Sequence, residues 1–277
     1  MNLKNYYTKK RFGQHWLRDQ KVLEKIIKVA DPVKNDVILE IGPGKGALTS
    51  KLLEKDIRRI YAVELDKDLI LYLNNKFSKF DNFSLQQGDI LKTDINLFEF
   101  KLNKIIANIP YNITSPILDK FVGRLGRMQK YNLEKIVFLM QKDVADRIAA
   151  KVGSSDIGAI TTKINLISQV EKICDVKPSS FVPPPKVYSS LVVFKPLPQH
   201  LRLELELEKY IDKLLKVAFN GRRKKLKNTL CALFSINEFE ELQLNLKINF
   251  DMRPQDISID GWKMIAEHCI KIEKSRL

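Results

Sequence analysis

Two rhythms of apolar and polar residues alternate along the chain as far as residue 140. Short apolar runs at Val37–Ile41, Arg59–Glu64, Phe83-Ser84-Leu85, Ile105-Ile106-Ala107 and residues 135–140 have the length and character of buried strands. Between them, apolar residues return every three or four positions. Val22, Leu23, Ile26, Ile27 and Ala30 mark one helix, with Asp19 as its N-cap and Pro32 past its end. Further helices are predicted over 47–54 and 69–77, and another opens at Thr114 or Ser115 with Pro116 in its first turn. Strands alternating with helices predict βαβ units, hence an α/β fold with a doubly wound, Rossmann-like parallel sheet.

Beyond about residue 150 the rhythm changes. Residues 164–170, 173–176 and 189–194 look extended, and the last two bracket the cluster Phe181-Val182-Pro183-Pro184-Pro185. Pro196 and Pro198 mark a boundary, because proline disfavours helix at the residue before it. Helical spacing resumes over 204–219, 223–234 and 262–272. The predicted organisation is an α/β domain over 1–196, with a basic N-terminal arm, and a smaller helical domain over 197–277.

Charge adds a partner to this outline. The 277 residues hold 48 Lys and Arg against 33 Asp and Glu, a net charge of +15. Two stretches are basic without any acid: residues 1–18, with Lys4, Lys9, Lys10, Arg11 and Arg18, and residues 213–228, with Lys213, Lys216, Arg222, Arg223, Lys224, Lys225 and Lys227. Such clustering favours a nucleic acid, with a solvated face or an anionic membrane as alternatives. The longest strongly apolar run, 136–140, is far too short to span a bilayer, and residues 1–18 hold no signal-like apolar core. Cys174, Cys231 and Cys269 are too scattered for a zinc knuckle and too few for a disulfide framework. A cytoplasmic protein without membrane or metal partners, and a monomer by default, is the expectation.

Candidate chemistry sits where strands end. The first strand runs into Gly42-Pro43-Gly44-Lys45-Gly46, where glycines allow tight turning and close approach of a ligand. Glu64 ends the next strand, 22 residues after Gly42, where a carboxylate can accept from both hydroxyls of a ribose. The loop is G-x-G-x-G, with Ala47 at the position of the third glycine of a dinucleotide fingerprint, and no P-loop is present. The spacing suits an adenosine ligand without a pyrophosphate, such as S-adenosylmethionine. Asp89, after the third strand, could accept from an adenine amino group. A loop that only turns the chain is the alternative.

The fourth strand releases Asn108-Ile109-Pro110-Tyr111 toward a helix start. This could be a plain turn. As a site, it suits methylation of an exocyclic adenine amine, whose lone pair is delocalised into the ring. The Asn108 side-chain oxygen and the Ile109 carbonyl could accept both amine hydrogens, Pro110 would stiffen that carbonyl, and Tyr111 offers a ring to a flipped-out base. The methylated amine loses its proton readily, so no general base is assigned.

Together with Phe12-Gly13-Gln14-His15-Trp16-Leu17, Val63-Glu64-Leu65-Asp66, Gly88-Asp89-Ile90, Phe181-x-Pro183-x-Pro185-x-Val187-x-Ser189 and Phe219-x-x-Arg222-Arg223-Lys224, these motifs make the chain resemble the ribosomal RNA adenine N6-dimethyltransferase family, in particular its 16S members. The resemblance runs nearly end to end. It implies that His15, Leu17, Gly42, Glu64, Asp89 and Asn108 line an S-adenosylmethionine pocket. It also implies that Asn108 and Tyr111 hold the target adenine and that Phe181 stacks against it. The implied reaction converts two adjacent adenosines in the 3′-terminal hairpin loop of 16S rRNA, in the small ribosomal subunit or its precursor, to N6,N6-dimethyladenosine. Arg222, Arg223, Lys224 and Lys225 would grip RNA phosphates, which positions RNA without reading its sequence. Two departures stand out: His15 is commonly Asn in the family, and Ile109 is commonly Leu. Trp16, Trp262, His200 and His268 are expected to be packing or surface residues. A macrolide-resistance-type 23S rRNA methyltransferase and a non-catalytic assembly factor are the competing assignments.

Overall fold

A computed structural model describes residues 13–275, so Lys4, Lys9, Lys10, Arg11 and Phe12 lie outside the described residues. The elements, in chain order, begin with β1 (Trp16–Leu17), α1 (Gln20–Ala30), β2 (Val37–Ile41), α2 (Ala47–Leu53), β3 (Arg59–Glu64), α3 (Lys67–Phe77) and β4 (Phe83–Gln87). Next come β5 (Lys104–Asn108), α4 (Thr114–Phe121), β6 (Lys135–Gln141), α5 (Lys142–Ile148), α6 (Ala159–Asn165), β7 (Ser168–Val176), β8 (Phe181–Val182) and β9 (Ser189–Pro196). The chain closes with α7 (Leu205–Asn220), α8 (Leu226–Leu230), α9 (Ile236–Asn245) and α10 (Ile259–Ser275).

Seven strands form one sheet in the order β4-β3-β2-β5-β6-β9-β7. The five strands from β4 to β6 are parallel, as the alternating pattern predicts, and every residue of β2 is buried. The sheet is not parallel throughout. β9 runs antiparallel to β6, with Gln141 opposite Ser189 and Ile136 opposite Phe194. Chain order reverses between β2 and β5, and the crevice beyond the carboxyl ends of the strands at such a switch point is where open α/β sheets take ligands. A separate two-stranded ribbon pairs β1 with β8 across most of the chain, Leu17 opposite Phe181.

The helices follow their caps. Asp19 accepts from Lys21 N–H at the start of α1, whose Leu23, Ile26, Ile27 and Ala30 are buried. Asp66 does the same for α3 through Asp68 N–H. At the opposite end of β2 and β5, Lys104 is buried and ion-pairs with Asp36 at 2.6 Å while also donating to the Asp31 carbonyl. Asn103 joins this cluster by donating to Asp36, so the buried charges are paired and hydrogen-bonded.

The division of the chain differs from a single cut between 196 and 197. One compact unit holds the described residues through Val122 together with Lys130–Ala145 and Val170–Pro196. The other adds Gly123–Gln129 and Asp146–Gln169 to the residues from Leu197 onward. Buried contacts explain these added segments. Arg202, 1% exposed at its side chain, pairs with Glu208 at 2.5 Å, Glu208 accepts from Gly126 N–H, and Arg202 donates to the Arg124 carbonyl. The second unit packs around Trp262, Ile211, Leu214, Leu215, Leu226 and Leu230. Residues 159–165 are helical, although 164–170 looked extended, and the predicted helix over 223–234 is reduced to α8 and a short 3-10 turn.

Candidate active site

One cleft in the first unit opens where β2, β3, β4 and β5 end. It encloses about 970 Å³ of empty space, open mouth included. His15, Gly42, Glu64, Asp89, Asn108 and Tyr111, all expected at the site, line it.

The glycine wall is set by backbone. Gly42 and Gly44 both have left-handed φ, +63° and +59°. A Cβ on Gly44 would lie 2.8 Å from the Trp16 ring, so only glycine admits that contact. A Cβ on Gly42 would meet nothing within 4 Å, and Gly42 therefore leaves main chain open to a ligand. Glu64 is 6% exposed, with one carboxylate oxygen accepting from Gly44 N–H at 3.0 Å and the other from Asp66 N–H at 2.9 Å. Burial pushes its carboxyl above the ordinary range, while the two main-chain donors oppose that shift. A carboxylate has about four acceptor positions, so two remain for hydroxyls. Asp89 accepts from Leu91 N–H through one oxygen, and its own carbonyl takes Thr93 N–H and Oγ1, which winds the 88–93 loop into a tight turn. An open glycine loop, a buried carboxylate and a second carboxylate beyond it match an adenosine-bearing ligand.

The opposite wall is Asn108-Ile109-Pro110-Tyr111. Asn108 Nδ2 donates to the His15 carbonyl at 2.9 Å. A carbonyl only accepts, so this bond fixes the amide and leaves Oδ1 as the available acceptor. Ile109 donates its N–H to Leu139 O at 3.0 Å, while its carbonyl accepts no hydrogen bond among the described residues. Pro110, at φ −61° and ψ 130°, holds that carbonyl's plane. The Tyr111 hydroxyl shares a 2.5 Å hydrogen bond with Ser189 Oγ, and burial raises its pKa.

The segment 13–18 binds these walls together. His15 Nδ1 donates to the Pro183 carbonyl at 2.8 Å, and its ring stacks on Tyr111 at 5.7 Å between centroids. Gln14 donates to Asp66 at 3.0 Å, and the Lys45 ammonium lies 4.2 Å from the centre of the Trp16 ring. Trp16, expected only to pack, lines the cleft.

Two expected residues are elsewhere. Phe181 is 1% exposed and belongs to the apolar core, because its place in β8 opposite Leu17 turns the ring inward. Leu17, 7% exposed, packs in the same core and borders only a neighbouring cavity that shares Gly42 and Asn108 with the cleft. The basic run also divides. Arg222 Nη2 donates to the Ser155 and Ile157 carbonyls at 2.7 and 2.8 Å, and Lys225 pairs with Asp251 at 2.9 Å. All four residues of the run are exposed. Ser189, which anchors Tyr111, lay inside a quoted motif but without an assigned part. No group of three or more metal-ligating side chains occurs among the described residues, and none of their helices is long and apolar enough to cross a membrane.

The family profile described as ribosomal RNA adenine dimethylase matches residues 5–271. The chain belongs to that family. It is 61% identical over 274 residues to the ribosomal RNA small subunit methyltransferase A of Prochlorococcus marinus (strain MIT 9301), covering 99% of this chain and 100% of that one. Among solved structures, a dimethyladenosine transferase from Plasmodium falciparum superposes with a TM-score of 0.76 at 26% identity, over 95% of this chain and 99% of the other. The 23S rRNA methyltransferase ErmE shares the fold, with a TM-score of 0.71 at 22% identity over 91% and 98% of the two chains.

Proposed function

We propose that this protein transfers methyl groups from S-adenosylmethionine to N6 of two adjacent adenosines in the 3′-terminal hairpin loop of small-subunit (16S) rRNA. It acts in the cytoplasm as a monomer, on the subunit or its precursor. The observation that carries this proposal is the pair of acceptors at Asn108 Oδ1 and Ile109 O, beside a glycine wall suited to adenosine. Full-length identity to a small-subunit methyltransferase supports the choice of RNA.

When bound, S-adenosylmethionine supplies an electrophilic methyl group on a sulfonium. Glu64 would hold the ribose hydroxyls, Asp89 the adenine amino group, and Gly42 would let main chain approach the donor. Asn108 and Ile109 take the two hydrogens of the substrate amine, which turns the nitrogen lone pair out of conjugation and toward the donor. Holding both reactants in line is worth several kcal/mol, roughly 7–11 in the best intramolecular cases. The His15–Tyr111 stack presents an aromatic surface to the extruded base, and base–aromatic stacking contributes ~1–3 kcal/mol. Arg223 and Lys224 meet RNA phosphates, while Arg222 is tied to the Ser155 and Ile157 carbonyls and Lys225 to Asp251.

Methyl transfer from labelled cofactor to undermethylated 30S and 50S subunits tests the proposal. Label is expected in the 30S fraction, at two neighbouring adenosines of the 3′ hairpin. Label in the 50S fraction alone would reject it, and tight cofactor binding without transfer to either would leave an assembly factor.

A further inference from the structure

Lys120 sits in the last turn of α4, the helix that begins directly after the Asn108-to-Tyr111 wall. Its ammonium donates to three main-chain carbonyls at once: Ile90 O at 2.6 Å, Thr93 O at 2.6 Å and Leu91 O at 3.2 Å. An ammonium has three N–H donors, and all three are used. The carbonyls belong to the 88–93 loop, which forms the Asp89 side of the cleft. Among the described residues, the loop's other hydrogen bonds are its own turn contacts at Asp89 and Gly88 N–H on Glu64 O, and Ile90 is buried. Lys120 is half-buried, and burial lowers its pKa; it also lies 5.5 Å from the Phe121 ring centre. Asp89 and Asp94 offset that loss of hydration, and Lys130 adds to it.

We propose that Lys120 is a positioning residue for the methyl donor: it pins the Asp89-to-Thr93 loop to α4 and so sets the adenine-binding side of the cleft in register with the substrate wall. This rests on the proposed use of the cleft for S-adenosylmethionine. A flexible, slightly shorter side chain without donors, as in Met, leaves three carbonyls unpaired and frees the loop to shift. The loop then has to be ordered by the ligand itself, and that cost falls on ligand affinity. Chemistry at saturating donor keeps its rate, because Asn108 and Tyr111 are untouched.

The test compares wild type with Lys120→Met by calorimetric titration with S-adenosylhomocysteine and with 5′-methylthioadenosine, which lacks the amino-acid end. Both ligands are expected to weaken by about tenfold and by the same factor. KM for S-adenosylmethionine should rise in step, with kcat within twofold and RNA affinity unchanged. Lys120→Arg retains the charge and a donor fork, and its affinity should fall between the two; it also serves if the Met variant does not fold. Equal affinity of wild type and folded variants for both nucleosides would overturn the role of Lys120. Loss confined to S-adenosylhomocysteine would overturn it too, because it would place the effect at the amino-acid end. Failure of the wild type to bind either nucleoside would reject the cofactor assignment and the role with it.

Discussion

The two walls of the cleft are built on opposite principles. On the glycine wall, Glu64 spends one lone pair of each carboxylate oxygen on main-chain N–H groups, and Gly44 is wedged against Trp16. On the other wall, Asn108 spends its donor on His15 and keeps its acceptor, and the Ile109 carbonyl is held open by Pro110. The first wall fixes acceptors by giving them donors. The second leaves acceptors unfilled on a rigid frame, which is what an amine with two hydrogens requires. A site that joins a nucleophile to an electrophile needs both kinds: one to hold a ligand firmly, one to interact most strongly as the reaction proceeds.

Substitutions should separate the two walls. Asn108→Ala removes an acceptor used on the reacting nitrogen, and kcat should fall about 10²–10³-fold with cofactor affinity nearly unchanged; single-turnover transfer measures this, and near-normal turnover would reject the role of Asn108. Glu64→Gln turns an NH2 group toward either Gly44 N–H or Asp66 N–H. That donor clash, ~1–3 kcal/mol, should weaken S-adenosylmethionine about 10- to 100-fold in a calorimetric titration.

Glu40 gives the glycine wall its own pH response. It is 2% exposed, accepts from Thr49 Oγ1 at 2.6 Å, and burial pushes its carboxyl up to about 8, with the Glu64 charge adding to the shift. The folded protein therefore holds this proton where the unfolded chain, at an ordinary 4.5, has released it. Its contribution to stability is complete below about 4.5 and is lost as pH rises toward 8. Glu40→Gln cannot ionise. Its melting temperature should equal that of the wild type at low pH and exceed it at pH 8 by at least about 2–4 °C, the shift of roughly 1 kcal/mol in a domain of this size. A gap that stays constant with pH would contradict this. The smallest change is expected from His15→Asn: loss of the bond to Pro183 O should cost about 2- to 10-fold in kcat/KM, the worth of one hydrogen bond. A larger fall would mean that the imidazole itself meets a substrate.

Strand ends and their acids were legible in the sequence because they obey local rules. β2, β3 and β5 are mostly apolar runs, with Gly42, Glu64 and Asn108 at or just past their ends and Asp89 just past β4. Direction and partner choice were not. Nothing in 189–196 shows that β9 runs antiparallel, since a strand's pattern reports its faces and not its neighbours. Phe181 illustrates the same limit, because a two-residue strand is too short for alternation to tell core from cleft. Arg222 looked like its neighbours in a basic run, yet it is committed to two carbonyls that no charge count could reveal. α9 escaped notice because Leu242 is its only buried residue. Lys120 carries no sequence signal at all: a lone lysine near a helix end is ordinary until the loop it meets is known.

The bond between Tyr111 and Ser189 joins residues 78 positions apart, and the one from His15 to Pro183 joins residues 168 apart. During synthesis at about 5–20 residues per second, the ring of Tyr111 waits roughly 4–16 s for the hydroxyl that steadies it. The glycine loop, Glu64 and Asp89 all precede Tyr111 in the chain, and β4 and β5, which flank β3 and β2 in the sheet, are also made long before Ser189. A nascent chain thus acquires the parts that hold the donor well before those that present the base, and the substrate wall is the last of the cleft to be finished.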